Sequence, residues 1–445
     1  MNILFISLGC DKNLSDSEEM LGLLTERGHN IVNSEEEADA IVINTCCFIH
    51  DAKEESVETI LEMAEYKKAG SLKALIVTGC MAQRYKEEII QEIPEVDAVL
   101  GTTSYSDIVK ALDEVLKGKS FQEFRDINEL PAVSASRVLT TGGHFGYLKI
   151  AEGCDKHCTY CIIPSLRGRF RSIPEERLIQ QAEYMASQGV KELILVAQET
   201  TVYGTDIYGK KTLHLLLKKL CGIKGIRWIR VLYCYPEEIY DELIQVMKEE
   251  KKICHYLDLP IQHASDRILK RMGRRTSKEQ LVEIIGKLRR EIPDIILRTT
   301  LITGFPGETE EDHQELMEFV DEIEFDRLGV FTYSAEEGTP AASMDGQIPE
   351  ELKEARRDEL MELQQEISLE KGNERIGQEL LVMIEGKVSG ESAYIGRTYG
   401  DAPNVDGYLF VQTGELLMTG DFAKVRVTGA MEYDLIGELA DEYTE

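Results

Sequence analysis

Of 445 residues, 43% are hydrophobic and 29% charged, and 81 acidic against 50 basic side chains leave a net charge of −31. A chain of this size and apolar content is expected to fold as about three packed domains, and no stretch approaches the length of a membrane span, which argues against membrane-spanning helices. Such acidity repels phosphate backbones unless basic residues cluster, so nucleic acid is not the expected direct substrate and a basic macromolecule is the better partner.

The chain opens in β/α alternation. Asn2 to Leu8 reads as a buried strand, Ser17 to Arg27 as an amphipathic helix, Ala40 to Asn44 as a strand and Ala52 to Lys68 as a helix. Strands at Ala74 to Thr78 and Ala98 to Leu100 follow, with helices near Tyr85 to Glu92 and Ser106 to Lys117. Short connections between alternating elements imply a doubly wound parallel sheet over residues 1–117. Cys10, Cys46 and Cys80 each fall just after one of these strands, 36 and 34 residues apart. The carboxyl ends of parallel strands share one edge, where open α/β folds bind ligands, so three distant thiols would converge there. The competing reading is three core cysteines at tolerant strand ends. Cys47 is read as packing or a spare thiol. Ten cysteines behind a short apolar run, Ile3 to Leu8, that lacks the basic start of a signal peptide point to a reducing, cytoplasmic setting.

Residues 118–139 read as a linker, polar and irregular, with Thr-Thr-Gly-Gly just beyond. A second β/α series occupies 140–371. Its strands are expected at Tyr147 to Ala151, Glu192 to Ala197, Trp228 to Leu232, Tyr256 to Leu259, Ile295 to Ile302 and Arg327 to Phe331. Six such units suggest a (β/α)6-type partial barrel, or a full one, with its site at the strands' carboxyl ends. Directly after the first strand comes Cys154-Asp155-Lys156-His157-Cys158-Thr159-Tyr160-Cys161, the spacing C-x3-C-x2-C. Three thiolates on a cubane iron-sulfur cluster leave one iron open to an outside ligand. A zinc knuckle is the alternative, although His157 sits between two would-be ligands and is poorly placed to complete a tetrahedron. Ser172-Ile173-Pro174-Glu175 resembles a capping box for the next helix.

Four further features lie in this stretch. Arg167, Arg169 and Arg171 form a basic run that is either a solvated face or charge balance for an anionic cluster or carboxylate. Tyr160 would stack on a base or shield a cluster. Gly304-Phe305-Pro306-Gly307 ends a strand, where backbone amides approach a polar ligand, and Asp258 to His263 ends another. Cys221, Cys234 and Cys254 are read as core.

Glu350 to Lys371 is a charged helix with Leu352, Leu360, Leu363 and Ile367 on one side, a docked connector. Residues 372–445 turn to short alternating strands at Leu380 to Ile384, Ala393 to Gly396, Gly407 to Val411 and Phe422 to Val427, a small β-barrel with 14 acidic against 5 basic residues. That surface disfavours nucleic acid.

With C-x3-C-x2-C after the first barrel strand and an aromatic before its last cysteine, the chain resembles the radical S-adenosylmethionine (SAM) superfamily. The upstream cysteines, with Leu8-Gly9-Cys10-Asp11-Lys12-Asn13 and Asp16-Ser17-Glu18, are similar to those of the methylthiotransferases. Asn44-Thr45-Cys46-Cys47-Phe48-Ile49 and Asp401-Ala402-Pro403-Asn404-Val405-Asp406-Gly407 resemble the RimO-type group, which modifies an aspartate of a small-subunit ribosomal protein, rather than the group that modifies a transfer-RNA adenosine. Asp11 stands where much of the family has a small residue or proline. The resemblance implies two 4Fe-4S clusters and SAM as cofactors. Cys154, Cys158 and Cys161 would hold the cluster that chelates SAM and cleaves it to a 5'-deoxyadenosyl radical. Cys10, Cys46 and Cys80 would hold the cluster that carries the transferred sulfur. It places Tyr160, Gly304, Pro306 and Gly307 near SAM and the C-terminal segment in a TRAM-like barrel. It implies an electron donor of flavodoxin or ferredoxin type. A non-catalytic iron-sulfur carrier or redox sensor is the reading from another class.

Overall fold

The computed structural model describes residues 1–131 and 137–444 of the chain. Six parallel strands open it: β1 (Asn2–Ser7), β2 (Asn30–Val32), β3 (Ala40–Thr45), β4 (Ala74–Gly79), β5 (Ala98–Leu100) and β6 (Phe121–Glu123), in the order β2-β1-β3-β4-β5-β6. Because strand side chains alternate between faces, Ile41, Ile43, Leu75, Val77 and Val99 pack on helices His50–Lys68 and Cys80–Glu92. Ala40, Val42, Ala74, Ile76 and Leu100 pack instead on helices Asp11–Glu26 and Ile108–Val115. Both faces are covered, as a doubly wound sheet requires. The strand order reverses between β1 and β3, and Cys10 and Cys46 stand on either side of that crevice.

Two boundaries differ from expectation. Helix Asp11–Glu26 begins six residues before Ser17, directly behind Cys10, and helix Cys80–Glu92 begins at Cys80 itself. The sheet also passes the boundary drawn at residue 117, since β6, read as linker, pairs with β5 from Ala98↔Phe121 to Leu100↔Glu123. Residues 132–136 of the predicted linker lie outside the described residues.

The central unit carries β7 (Phe145–Lys149), the two-residue strands β8 (Ala151–Glu152) and β9 (Arg171–Ser172), then β10 (Glu192–Val196), β11 (Trp228–Val231), β12 (Ile253–Asp258), β13 (Ile296–Thr303) and β14 (Arg327–Thr332). β7 and β10 to β14 form one parallel sheet in chain order from β7 to β14, open between those two, which is the predicted partial barrel. Leu148, Leu193, Leu195, Ile229, Val231 and Leu257 face the surrounding helices, while Tyr147, Ile194, Val196, Cys254 and Tyr256 face inward. Helix Glu350–Asn373 packs along β13 and β14 through buried Leu360 and Ile367, whereas Leu352 of the expected stripe is 40% exposed. The capping box expected at Ser172 does not form. Ser172 lies in β9 and its hydroxyl bonds Asp206 at 2.6 Å, and Pro174 precedes the helix without a side-chain cap.

β15 (Glu379–Lys387), β16 (Ala393–Thr398), β17 (Leu409–Gln412), β18 (Phe422–Ala430) and β19 (Leu435–Thr444) close into a barrel, which removes free strand edges. It seals the amino-terminal end of the central barrel. Glu192, first in β10, accepts from Arg230 at 2.8 Å and from Arg397 of β16 at 2.7 Å. Arg327 donates to Asp401 at 2.6 Å, and Trp228 meets Phe422 edge-on at 4.8 Å. The Asp401 to Gly407 run is thus part of the joint between the small barrel and the large one.

Candidate functional site

The six singled-out cysteines stand in two groups, one at the carboxyl ends of the parallel strands β1, β3 and β4 and one beyond β7, after the short antiparallel strand β8. Cys154, Cys158 and Cys161 share the loop that follows β8. Its path is set by the backbone: Cys154 N–H donates to Gly168 O at 3.1 Å, Cys161 N–H to Cys158 O at 3.1 Å and Thr159 N–H to Met272 O at 2.9 Å. Gly153 has φ +69°, and a Cβ there would meet Arg169 O at 2.1 Å. Burial pushes the Cys154 and Cys161 thiols up to about 12, against the amides of Lys156 and Ile163, and each feels its neighbours in the triad. Thiols so buried become thiolates through a bound metal.

Around this loop lie side chains that the sequence reading missed. Glu199, beyond β10, is buried with Oε2 lacking a hydrogen-bond partner among the described residues, and burial raises its carboxyl to about 7. Arg274 stacks over the Tyr235 ring at 4.3 Å and donates Nη2 to Pro260 O at 2.9 Å, while its Nε and Nη1 have no partner among the described residues. Tyr235 Oη lies 3.7 Å from Cys158 Sγ. Position after a strand end was the one sequence signal for Glu199 and Tyr235; Arg274 gave none. Orphaned buried polar atoms of both signs beside three thiols fit a ligand bearing amino and carboxylate groups.

Tyr160 meets Phe305 edge-on at 6.4 Å, so the predicted Tyr160 and the 304–307 turn are neighbours. The turn is tightly held. A Cβ on Gly304 (φ +69°) would fall 2.1 Å from Lys353 Cγ, Pro306 O accepts from Arg271 at 3.0 Å, and Gly307 N–H donates to Gly346 O at 2.7 Å. Cys221 is half-buried, and Cys234 and Cys254 lie in the cores.

The second group gathers Cys10, Cys46 and Cys80 from β1, β3 and β4. Gly9 (φ +86°) leaves room for Cys46, whose Cβ and Sγ would lie 2.7 and 2.9 Å from an added Cβ. Gly79 (φ +95°) does the same against Asn44 Oδ1 at 2.3 Å and Thr45 O at 2.5 Å. Asn13, fully buried, ties the three loops: its Nδ2 donates to Leu8 O at 3.1 Å and Thr45 O at 3.0 Å, and Cys80 Sγ stands 3.7 Å from its Oδ1. Cys10 precedes one helix and Cys80 opens another, so two helix amino termini favour negative charge here. Burial raises Cys46 and Cys80. Cys10 is exposed, which leaves one side of the group open. Cys47 is buried in the core. Among the described residues no three His, Cys, Asp or Glu side chains are drawn together as the ligands of a single metal ion are; each triad is a looser set of neighbouring thiols.

The two groups meet where helix Asp11–Glu26 seats on the central barrel. Lys12 Nζ lies 3.2 Å over the Tyr233 ring, and Tyr233 Oη donates to Asp11 at 3.3 Å. Tyr233 to Tyr235, one turn beyond β11, therefore touches the neighbours of Cys10 at one end and Cys158 at the other.

Family profiles match three stretches: the uncharacterized protein family UPF0004 over residues 2–101, the radical SAM superfamily over 148–320 and the TRAM domain over 376–440. Solved radical SAM enzymes share the fold at low identity. The methyltransferase TsrM from Kitasatospora setae superposes with a TM-score of 0.54 at 12% identity, covering 74% of this chain and 72% of that one. OxsB, a cobalamin-dependent radical enzyme, gives 0.52 at 15%, covering 81% and 56%. Full-length relatives are far more similar. A protein of Lachnoclostridium phytofermentans named ribosomal protein uS12 methylthiotransferase RimO is 66% identical, covering 98% of this chain and 99% of that one. Proteins of the same name from Pelotomaculum thermopropionicum and Clostridioides difficile are 52% and 50% identical, covering 97% and 99% of this chain and 98% and 99% of theirs. This chain belongs to the RimO family of radical SAM methylthiotransferases.

Proposed function

We propose that the chain adds a methylthio group to the β-carbon of an aspartate in ribosomal protein uS12. The observation that carries the reading is the turn Tyr233 to Tyr235, which touches Asp11 beside Cys10 at one end and stands 3.7 Å from Cys158 Sγ at the other, and so supports two cofactor sites that share one substrate. Cys154, Cys158 and Cys161 would hold one 4Fe-4S cluster and Cys10, Cys46 and Cys80 the other. When bound, the clusters and SAM supply the electron, the hydrogen-abstracting radical, the sulfur and the methyl group. The chain's own part is to bind, orient and exclude water. Arg274 and Glu199 offer opposite charges to the carboxylate and amino ends of SAM. Tyr160 and the turn Gly304, Pro306 and Gly307 form its aromatic and backbone wall. The C-terminal barrel packs on the amino-terminal end of the central barrel, which leaves the carboxyl ends of its strands as the side from which substrate approaches.

A net charge of −31 attracts a basic ribosomal protein and speeds its encounter, and the same acidity disfavours transfer RNA. No helix among the described residues is long and apolar enough to cross a membrane. The reading places the enzyme in the cytoplasm, served by a flavodoxin- or ferredoxin-type donor. The test is an anaerobic assay of the reconstituted chain with uS12 or transfer RNA, reading the mass gained when hydrogen is replaced by a methylthio group. Gain on uS12 alone is expected; gain on transfer RNA alone overturns the substrate.

A further inference from the structure

Arg167 belongs to the central unit but makes none of its side-chain bonds toward the loop of Cys154, Cys158 and Cys161. It is 2% exposed. Its Nη2 donates to Asn13 Oδ1 at 2.6 Å and to Asp16 Oδ2 at 2.9 Å, both on the helix behind Cys10, and its Nη1 donates to Glu152 at 3.1 Å. Asn13 Oδ1 is the same atom that Cys80 Sγ approaches at 3.7 Å. Lys149 completes the network through Asp16 and Glu152. Of the basic run read in the sequence, Arg169 is exposed and Arg171 turns back to the carbonyls of Arg167 and Arg169.

Burying an arginine among two carboxylates and an amide costs desolvation that packing alone would not require. The two carboxylates are already served by Lys149. What Arg167 adds is a fixed cation one amide oxygen away from Cys80, delivered across the joint between two units. A cluster on three thiolates carries net negative charge, and a nearby buried cation stabilises its reduced form more than its oxidised form.

We infer that Arg167 is a positioning residue for the Cys10, Cys46 and Cys80 site, raising the reduction potential of the cluster held there and making that potential depend on the docking of the central unit. The inference rests on the two-cluster reading above. It is tested in the full chain with Cys154, Cys158 and Cys161 replaced by alanine, so that only the N-terminal site is loaded. In this background the chain should still bind about four irons, and an EPR-monitored redox titration gives the midpoint. Arg167→Gln should shift the midpoint to lower potential, read as loss of reduced signal at the parent midpoint. Arg167→Lys should hold it near the parent value, and the exposed Arg169→Gln should leave it unmoved. If Arg167→Gln does not fold, the pair Asp16→Asn with Arg167→Gln keeps the network's net charge and should shift in the same direction by less, because the lost anion offsets part of the lost cation. An unmoved midpoint in a folded, loaded Gln variant, or an equal drop in Lys and Gln, overturns the inference alone. Failure of the parent background to bind iron overturns the two-cluster reading, and the inference with it.

Discussion

Cys154, Cys158 and Cys161 are held within eight consecutive residues, whereas Cys10, Cys46 and Cys80 arrive from three strands of a sheet. The first site is a matter of local backbone: one loop, one left-handed glycine and a few carbonyls fix it. The second exists only when the whole sheet has formed, and its construction shows that dependence. Two glycines must leave room for neighbouring strand ends, one buried asparagine must tie three loops, and an arginine must come from another part of the chain. A local site survives damage elsewhere; a distributed one is the first to be lost.

The largest expected effect separates the two sites by chemistry. Cys158→Ala should abolish both SAM cleavage and thiomethylation of uS12, while Cys46→Ala should retain SAM cleavage and lose thiomethylation. Quantifying 5'-deoxyadenosine beside modified uS12 checks both, and thiomethylation by the Cys46 variant would dissolve the division of labour. Next in size is a break far from either site. Arg397→Met takes one of two partners from each of Glu192, which keeps Arg230, and Glu385, which keeps His144, and should cost at most about 3–5 kcal/mol of the small barrel's docking, read in urea titrations by Trp228, the chain's single tryptophan. Iron binding should remain, because neither triad touches that joint.

A smaller effect probes the distributed site directly. Gly28→Ala, at φ +80° with nothing within 4 Å, should cost only the strain of a left-handed residue, about 1–2 kcal/mol. Gly79→Ala adds a clash with Asn44 and Thr45 to that strain, so it should lower stability further and release iron from the N-terminal site while the central loop stays loaded. Equal iron contents in the two variants would show that Gly79 does not shape the site.

The same contrast explains what could be read in the sequence. Alternating apolar runs gave every strand of the central sheet within three residues at either end, because fully buried parallel strands have little freedom in composition. The C-x3-C-x2-C loop was legible because its geometry is local. Helix Asp11–Glu26 starts six residues before its apolar pattern for the opposite reason: Lys12, Asn13 and Asp16 look solvent-facing by pattern, yet all three are buried against Tyr233 and Arg167 of the central unit. Periodicity sees one face of one element, and a polar interface between units has no period. Arg167 was visible as one of a basic run, but only the fold shows that it serves the other triad. Edge strand β6 was lost to the linker because three residues on a sheet edge, half-exposed, carry almost no apolar signal.

The smallest expected effect sets the two joints of the central barrel against each other by pH. At the C-terminal joint, burial alone would raise the carboxyls of Glu192, Glu385 and Asp401, but Arg397 and Arg230 beside Glu192, His144 and Arg397 beside Glu385, and Arg327 beside Asp401 outweigh it, and all three are lowered. Carboxyls lowered on folding stabilise above their ordinary range and lose that contribution as pH falls through the lowered values. At the N-terminal joint, burial raises Glu19 above its ordinary value despite Lys149 and Arg137. Its contribution is therefore complete below about pH 4.5 and is lost as pH rises through the raised value. Glu385→Gln should flatten the acid limb of the Trp228 transition and leave the neutral limb sloped as before. Glu19→Gln should do the reverse, removing the loss of stability that sets in as pH rises above Glu19's ordinary value. Thermal melts of the metal-free chain from acid pH, below the ordinary carboxylate range, up to neutral, with Trp228 reporting one joint and circular dichroism the whole, measure both slopes. The same change of slope from both variants would mean that the two joints do not differ in the way their charges require.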